Sequence, residues 1–357
     1  MSTQRAEQRT GRLRVVIATP LPEELCERIE RAEPRIELIR DQSLLPPERW
    51  PADFPGDPSF QRTPVQQARF EELLDSADVL YGIPDVDPAA LARTVRANPR
   101  LRWVQLMAAG GGSQVQAAGL TADELARVRF TTSAGVHGDP LAEFAVFGVF
   151  AGAKRLPRLQ RDQRAREWPG RWGMAQVSGQ TVLVLGVGGI GRGVAAKLAA
   201  IGAHVIGTSR RGERPDGLHE VVHPDDIAAV LPRVDALVNT LPGTDATGGL
   251  VDGDVFAAAC DGLTVVNVGR GTVIDEVALV RALEAGRVGF AALDVFAVEP
   301  LPPGSPLWNR DDVLVSPHTA ALSTAEEGRI ADLFIDNATR FLDGRELRNV
   351  VDTVEFY

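Results

Sequence analysis

The chain has 357 residues, 44% hydrophobic and 24% charged, an ordinary globular composition with length for two domains. Formal net charge is −10 and no Lys/Arg block interrupts the acidic balance, which argues against nucleic acid as a main partner. The longest strongly apolar stretch, residues 142–153, is too short to span a bilayer and reads as a buried helix, so no membrane association is expected.

The N-terminal stretch MSTQRAEQRTGR is polar throughout, has no apolar core of a signal peptide, and is expected to be disordered. RLRVVIAT (residues 12–19) then reads as a strand, PEELCERIERA as a helix and IELIR as a second strand. Residues 41–64 form a long loop carrying Pro46, Pro47, Pro51, Pro55, Pro58 and Pro64. Loops of this length are often functional or partner-binding, but a surface excursion is the plainer reading. Next come the helix VQQARFEELLDSA and the strand DVLYGI. DPAALARTVRANP reads as a helix with Asp87 as cap and Pro88 in its first turn. LRWVQLMAA (residues 101–109) reads as a strand running into the glycines of AGGGS.

From Asp139 the stretch DPLAEFAVFGVFAGAKRLPRLQRDQRAREW reads as a long helix bent near Pro157. A second set of apolar runs follows: TVLVLG, AHVIGTS, ALVNTL, LTVVNVG, FAALDVF and VLVSPH. Strands alternating with helices predict an α/β chain with parallel sheets in two units. The last helix, STAEEGRIADLFIDNATRFLDG, has Ser323 and Glu326 in capping-box spacing, and could pack back on the first unit. Cys26 and Cys260 stand alone, without metal spacing, and predict reduced, buried thiols in a cytoplasmic protein; no metal site is expected.

Gly186, Gly188 and Gly191 have G-x-G-x-x-G spacing between a strand and an Ala-rich helix, which predicts a dinucleotide loop. Gly186 would permit the tight turn, Gly188 the approach of a pyrophosphate, and Gly191 close helix–strand packing, with Gly189 and Ile190 opening the helix. At the end of the next strand, where NAD sites usually carry an acid, stand Ser209, Arg210 and Arg211. A hydroxyl and two guanidinium groups suit a 2′-phosphate, so NADP is preferred over NAD. The competing reading leaves both arginines solvated and turns Glu213 to the ribose.

Arg270, Glu299 and His318 follow three successive strands. A cationic fork, a carboxylate and an imidazole at one sheet edge are what reduction of a 2-oxo acid needs. Each has a plain alternative: Arg270 paired with Asp275, Glu299 in a solvated turn before Pro300, His318 satisfying a carbonyl. All three being incidental behind a dinucleotide loop is the weaker account.

The segments LGVGGIG, NVGRG, DVFAVEP and SPHTA, in this order, resemble those of the D-isomer-specific 2-hydroxyacid dehydrogenases. The resemblance covers nearly the whole chain and is weakest over the first seventy residues. It implies two Rossmann-like or flavodoxin-like domains, the cofactor domain inserted into the substrate domain: residues 12–135 as the first part of the substrate domain, 136–318 as the dinucleotide domain, and 319–357 as a returning C-terminal helix. It implies His318 as proton donor in reduction and base in oxidation, Glu299 as its brace, and Arg270 as holder of the substrate carboxylate. Backbone N–H groups of Ala109, Gly110 and Gly111 would cradle the same carboxylate. Asp294 would face the nicotinamide carboxamide, and Thr240, Leu241 and Val268 would line the cofactor groove. The helix after Asp139 would form the arm of a homodimer. The run AAGGGSQ and Phe144 depart from the family pattern and put the substrate in doubt.

The function expected is NAD(P)-linked hydride transfer between nicotinamide and a small 2-oxo or D-2-hydroxy acid, of the glyoxylate or hydroxypyruvate kind. One alternative is a formate- or phosphite-type dehydrogenase on the same scaffold, against which Glu299 argues. Another is a non-catalytic nucleotide sensor.

Overall fold

Val15 pairs in parallel with Leu38 on one side and Val79 on the other, and such parallel pairing repeats through the chain. The computed structural model describes residues 12–212, 214–354 and 356. The expectations for the N-terminal stretch and for Glu213 therefore lie outside the described residues. Two compact units form. One holds the chain up to His137 and again from Ser323; the other is Gly138–Leu322. The divisions at 137/138 and 322/323 lie two to four residues beyond those read from the sequence.

The first unit contains β1 (Leu13–Ile17), α1 (Glu23–Ala32), β2 (Ile36–Ile39), α2 (Pro64–Asp75), β3 (Val79–Tyr81), α3 (Pro88–Ala97), β4 (Trp103–Gln105), α4 (Gly112–Ala117), α5 (Ala122–Arg127) and β5 (Arg129–Thr131). Its sheet order is β2-β1-β3-β4-β5, all parallel. Thr63 and Gln66 form a reciprocal capping box at α2, and Asp87 caps α3 through Ala89 N–H. The strand read over residues 101–109 is only three residues long. Its partners β3 and β5 each offer three residues, and the chain turns away after Leu106.

The C-terminal helix, Glu326–Leu342, packs against α1 and completes this core. Phe334 is fully buried, stacked on Trp103 with centroids 5.0 Å apart and edge-on to Tyr81 at 5.1 Å. The expected Ser323–Glu326 capping box does not form. The helix begins at Glu326, whose Oε1 instead lies 2.8 Å from His137 Nε2, and Ser323 Oγ is buried without a partner among the described residues. A hydrogen-bonded contact with His137 has taken the carboxylate that the local motif required.

The Pro-rich loop is ordered. Leu44, Leu45, Ala52 and Asp53 are buried, Arg49 forks onto Asp53, and Ala52 N–H donates to Glu327 Oε1 at 2.6 Å. Gly56, at φ +66, could not carry a side chain, because a Cβ there would lie 2.5 Å from Pro46 Cβ.

The second unit contains α6 (Gly138–Ala153), α7 (Leu156–Ala165), β6 (Thr181–Leu185), α8 (Gly189–Ala200), β7 (His204–Thr208), β8 (Glu220–Val222), α9 (Ile227–Val230), β9 (Ala236–Asn239), α10 (Gly253–Ala258), β10 (Leu263–Asn267), α11 (Glu276–Glu284), β11 (Val288–Leu293) and β12 (Val313–Val315). Its seven-stranded parallel sheet has the order β12-β11-β10-β9-β6-β7-β8. Successive strand residues feed opposite cores: Leu183 and Leu185 one, Val182 and Val184 the other. Burial on both faces explains the unbroken apolar runs of the sequence. The long helix read from Asp139 is broken rather than bent: Arg155 takes a left-handed conformation, φ 52, and α7 starts anew at Leu156 with Pro157 in its first turn. β8 was not anticipated, being three partly exposed residues on the sheet margin. Cys26 is buried, and burial pushes its thiol up to about 12; Cys260, expected buried, is exposed.

Candidate active site

Because every strand of the second sheet is parallel to its neighbours, all their carboxyl ends share one edge. Along that edge, in space, come His318 after β12, Asp294 and Glu299 after β11, Arg270 after β10, Thr240 and Leu241 after β9, the glycine loop after β6, and Ser209, Arg210 and Arg211 after β7. From β12 to β7 is five strand spacings, about 24 Å. The strand order reverses between β9 and β6, which is where open α/β sheets leave a ligand crevice.

At the glycine loop, Gly186 takes φ +84, and its N–H donates to Thr208 Oγ1 at 2.9 Å. A Cβ on Gly191 would lie 2.0 Å from Gly186 O, so helix and strand meet at a distance only glycine allows. Thr240 Oγ1 lies 2.9 Å from both Leu185 O and Gly186 O and fastens the turn. Around Gly188 and Gly189 the Cβ positions meet nothing within 4 Å, so the backbone there is open to a ligand. The first bond onto this loop from α8 is Arg192 N–H to Gly188 O, and the N–H groups of Gly189, Ile190 and Gly191, without an acceptor among the described residues, suit an anion. Arg211 N–H donates to Ser209 Oγ, and both arginine side chains are exposed without a carboxylate partner among the described residues.

At the other end of the edge, His318 Nδ1 lies 2.7 Å from Glu299 Oε2, and Glu299 Oε1 accepts from Phe296 N–H at 2.9 Å. Burial raises the Glu299 carboxyl, but the bonds from His318 and Phe296 N–H and the charges of His318 and Arg270 outweigh it and hold the group below its ordinary value. His318 itself has φ 53, unusual for a residue with a side chain. Asp294 imposes it. The fully buried Asp294 accepts from His318 N–H through its backbone oxygen, and from Ser316 Oγ (2.5 Å), Thr319 N–H (2.9 Å) and Ala320 N–H (3.0 Å) through Oδ1. Its Oδ2 is buried and has no hydrogen-bond partner among the described residues. An orphaned acceptor at this edge fits the amide donor of a nicotinamide. The residues present thus fit a bound dinucleotide at both ends.

Arg270 is exposed, and its only hydrogen bond from the guanidinium among the described residues runs from Nη1 to Gly269 O, 2.8 Å. Its backbone oxygen accepts from the side-chain amides of Asn239 and Asn267. The sequence reading passed over these two asparagines, although each ends an apolar strand, ALVN and LTVVN. Val268 is buried, with its N–H on Asn239 O. Ala109, Gly110 and Gly111 lie in the first unit, just past β4; Ala109 and Gly110 are exposed, and the three N–H groups have no acceptor among the described residues.

Residues 146–320 match the model of the D-isomer specific 2-hydroxyacid dehydrogenase NAD binding domain. Glyoxylate/hydroxypyruvate reductase A from Serratia proteamaculans is 33% identical over 217 residues, 61% of this chain and 68% of that protein. D-3-phosphoglycerate dehydrogenase from Mycobacterium leprae is 34% identical over 274 residues, 73% of this chain and half of that longer protein. The crystal structure of an NADPH-dependent glyoxylate/hydroxypyruvate reductase from Sinorhizobium meliloti, in complex with NADP and sulfate, superposes with TM-score 0.71 at 26% identity, over 97% of this chain and all of that one. A parallel sheet edge fitted to a dinucleotide, a braced imidazole beside an arginine, and these likenesses together make the chain a member of the D-isomer-specific 2-hydroxyacid dehydrogenase family, an NAD(P)-dependent oxidoreductase of 2-hydroxy acids.

Proposed function

We propose that this enzyme reduces a small 2-oxo acid of the glyoxylate or hydroxypyruvate kind, with NADPH as the preferred donor. The observation that carries the reading is the 2.7 Å pair of His318 and Glu299, on strand ends next to that of Arg270. Arg270 offers a planar fork to the substrate carboxylate and positive charge to the carbonyl oxygen. Glu299 occupies Nδ1, so Nε2 is the ring nitrogen that gives a proton to that oxygen in reduction and takes it back in oxidation. A reduced dinucleotide bound along this edge supplies the hydride.

Gly186, Gly188, Gly189, Ile190 and Gly191 hold the pyrophosphate, Thr240, Leu241 and Val268 wall the groove, and Asp294 Oδ2 accepts from the carboxamide. Ser209, Arg210 and Arg211 take the 2′-phosphate; the Sinorhizobium relative, named NADPH-dependent, supports this choice. The N–H groups of Ala109, Gly110 and Gly111, which have no acceptor among the described residues, are assigned to carboxylate binding. Formate chemistry is disfavoured by the carboxylate, rather than an amide, on His318. Both cysteines are free, as a reducing compartment such as the cytoplasm keeps them.

A homodimer is also proposed. Phe147, Leu159, Trp168 and Met174 are 40–99% exposed along α6, α7 and the segment that follows, an apolar surface a second copy would cover. Light scattering of the full chain tests it, a monomer at micromolar concentration being the contrary result. The catalytic reading is tested by following NADPH oxidation with a panel of 2-oxo acids. Turnover of glyoxylate or hydroxypyruvate supports it; tight NADPH binding with no turnover of any acid overturns it.

A further inference from the structure

We infer that Asn239 and Asn267 are positioning residues for Arg270, a buried amide clasp that aims the guanidinium at the substrate carboxylate. The inference rests on the reading of Arg270 as the carboxylate holder.

The two side chains are 0% and 2% exposed and face each other from the carboxyl ends of neighbouring strands β9 and β10. Asn239 Nδ2 donates to Asn267 Oδ1 at 2.8 Å and to Arg270 O at 3.4 Å. Asn267 Nδ2 donates to Arg270 O at 3.2 Å. Both amide oxygens accept backbone N–H groups: Leu241 N–H on Asn239 Oδ1, Gly269 N–H on Asn267 Oδ1, each 3.1 Å. An oxygen held by an N–H and a nitrogen held by a carbonyl fix which way each amide points. Reversing either would set oxygen against oxygen in a buried place.

The turn that carries Arg270 is held on its other sides by lack of space. A Cβ on Gly269 would lie 2.5 Å from Leu241 O, and one on Gly271 only 1.9 Å from the carbonyl carbon of Phe296. Phe296 is also the residue whose N–H donates to Glu299. So the arginine turn is pressed between the amide clasp and the backbone that supports the Glu299–His318 pair. With its guanidinium bonded only to Gly269 O among the described residues, Arg270 takes its direction from this backbone. Fastening two strands would need one amide bond between them; converging both nitrogens on the single oxygen of Arg270 does more than that.

The test compares Asn239→Ser, Asn267→Ala and Arg270→Met with the unaltered enzyme, all as full chains. Two quantities are read: the Kd of NADPH, and the Kd of oxalate for the enzyme–NADPH complex, followed by nicotinamide fluorescence. Oxalate is a non-reacting carboxylate, so its binding does not depend on turnover. The expectation is oxalate binding about 10-fold or more weaker in both asparagine variants, with NADPH binding within about twofold. Equal loss of both affinities would make the pair a brace of the strand edge alone and overturn the inference. Unchanged oxalate binding in the asparagine variants, with loss in Arg270→Met, would overturn it while sparing the reading of Arg270. Unchanged binding in Arg270→Met, or no oxalate binding by the unaltered enzyme, would remove the reading beneath it. Should Asn267→Ala fail to fold, Asn239→Ser, which keeps a small hydroxyl in place, carries the test.

Discussion

His318 Nδ1 and Glu299 Oε2 lie 2.7 Å apart although the two residues follow different strands, β12 and β11. Replacing His318 by Ala removes the proposed proton donor but touches neither the glycine loop nor Ser209. Turnover should fall by about 10²-fold or more, the typical worth of a positioned acid, while NADPH affinity stays nearly unchanged. Steady-state assay with fluorescence titration of NADPH checks both, and full activity would refute the mechanism.

Glu299 is held below its ordinary value of 4.5, so its pairing contributes stability that is present above that pH and is lost as pH falls through the lowered value. Glu299→Gln should therefore blunt acid sensitivity at this site and lower kcat at neutral pH through a misplaced imidazole. A pH–rate profile identical to that of the unaltered enzyme would count against the brace.

Substituting Arg210 and Arg211 together by Ala removes two guanidinium groups that have no carboxylate partner among the described residues at the end of β7. Use of NADPH should weaken by about 10-fold or more, as for loss of charge-assisted bonds, and use of NADH should change little. Comparing kcat/KM for the two cofactors decides it, and equal losses would favour solvated arginines.

Burial, followed by a hydrogen bond and the charge of Glu327 and by the charge of Asp53, raises the Glu48 carboxyl to about 8. A raised group stabilises fully below its unfolded value of 4.5, and that contribution is lost as pH rises through about 8. Glu48→Gln keeps a donor for Glu327 without a second buried charge. Its Tm, matched to the unaltered protein in acid, should exceed it by about 3 °C or more above pH 8. A constant difference across pH would show that no proton is shared there.

Phe334 reaches from the C-terminal helix onto Trp103 and Tyr81 with no exposed surface. Phe334→Ala should cost about 3–5 kcal/mol, the usual range for a buried aromatic. Urea unfolding measures it, and a loss below about 1 kcal/mol would mean the core of the first unit collapses to fill the gap.

Much of this was legible in the order of residues. Apolar runs three to six residues long, glycines at Gly186, Gly188 and Gly191, and Arg270, Glu299 and His318 behind successive strands are local patterns, and each follows from backbone geometry within a few residues. Parallel pairing then puts every strand end of the second sheet on one edge, so strand order in space carried the site with it.

What the sequence by itself determined was therefore the kind of each element, the dinucleotide turn and the chemistry waiting at the strand ends. Only the tertiary structure decided that Glu326 binds His137, 189 positions away, rather than capping its own helix; that Asp294 bends the His318 turn; and that Asn239 and Asn267 meet over Arg270. The reason is range. Helical and strand periodicity is set by neighbours along the chain, but a buried polar atom takes whichever partner folding brings within about 3 Å, and that partner leaves no mark in the local pattern.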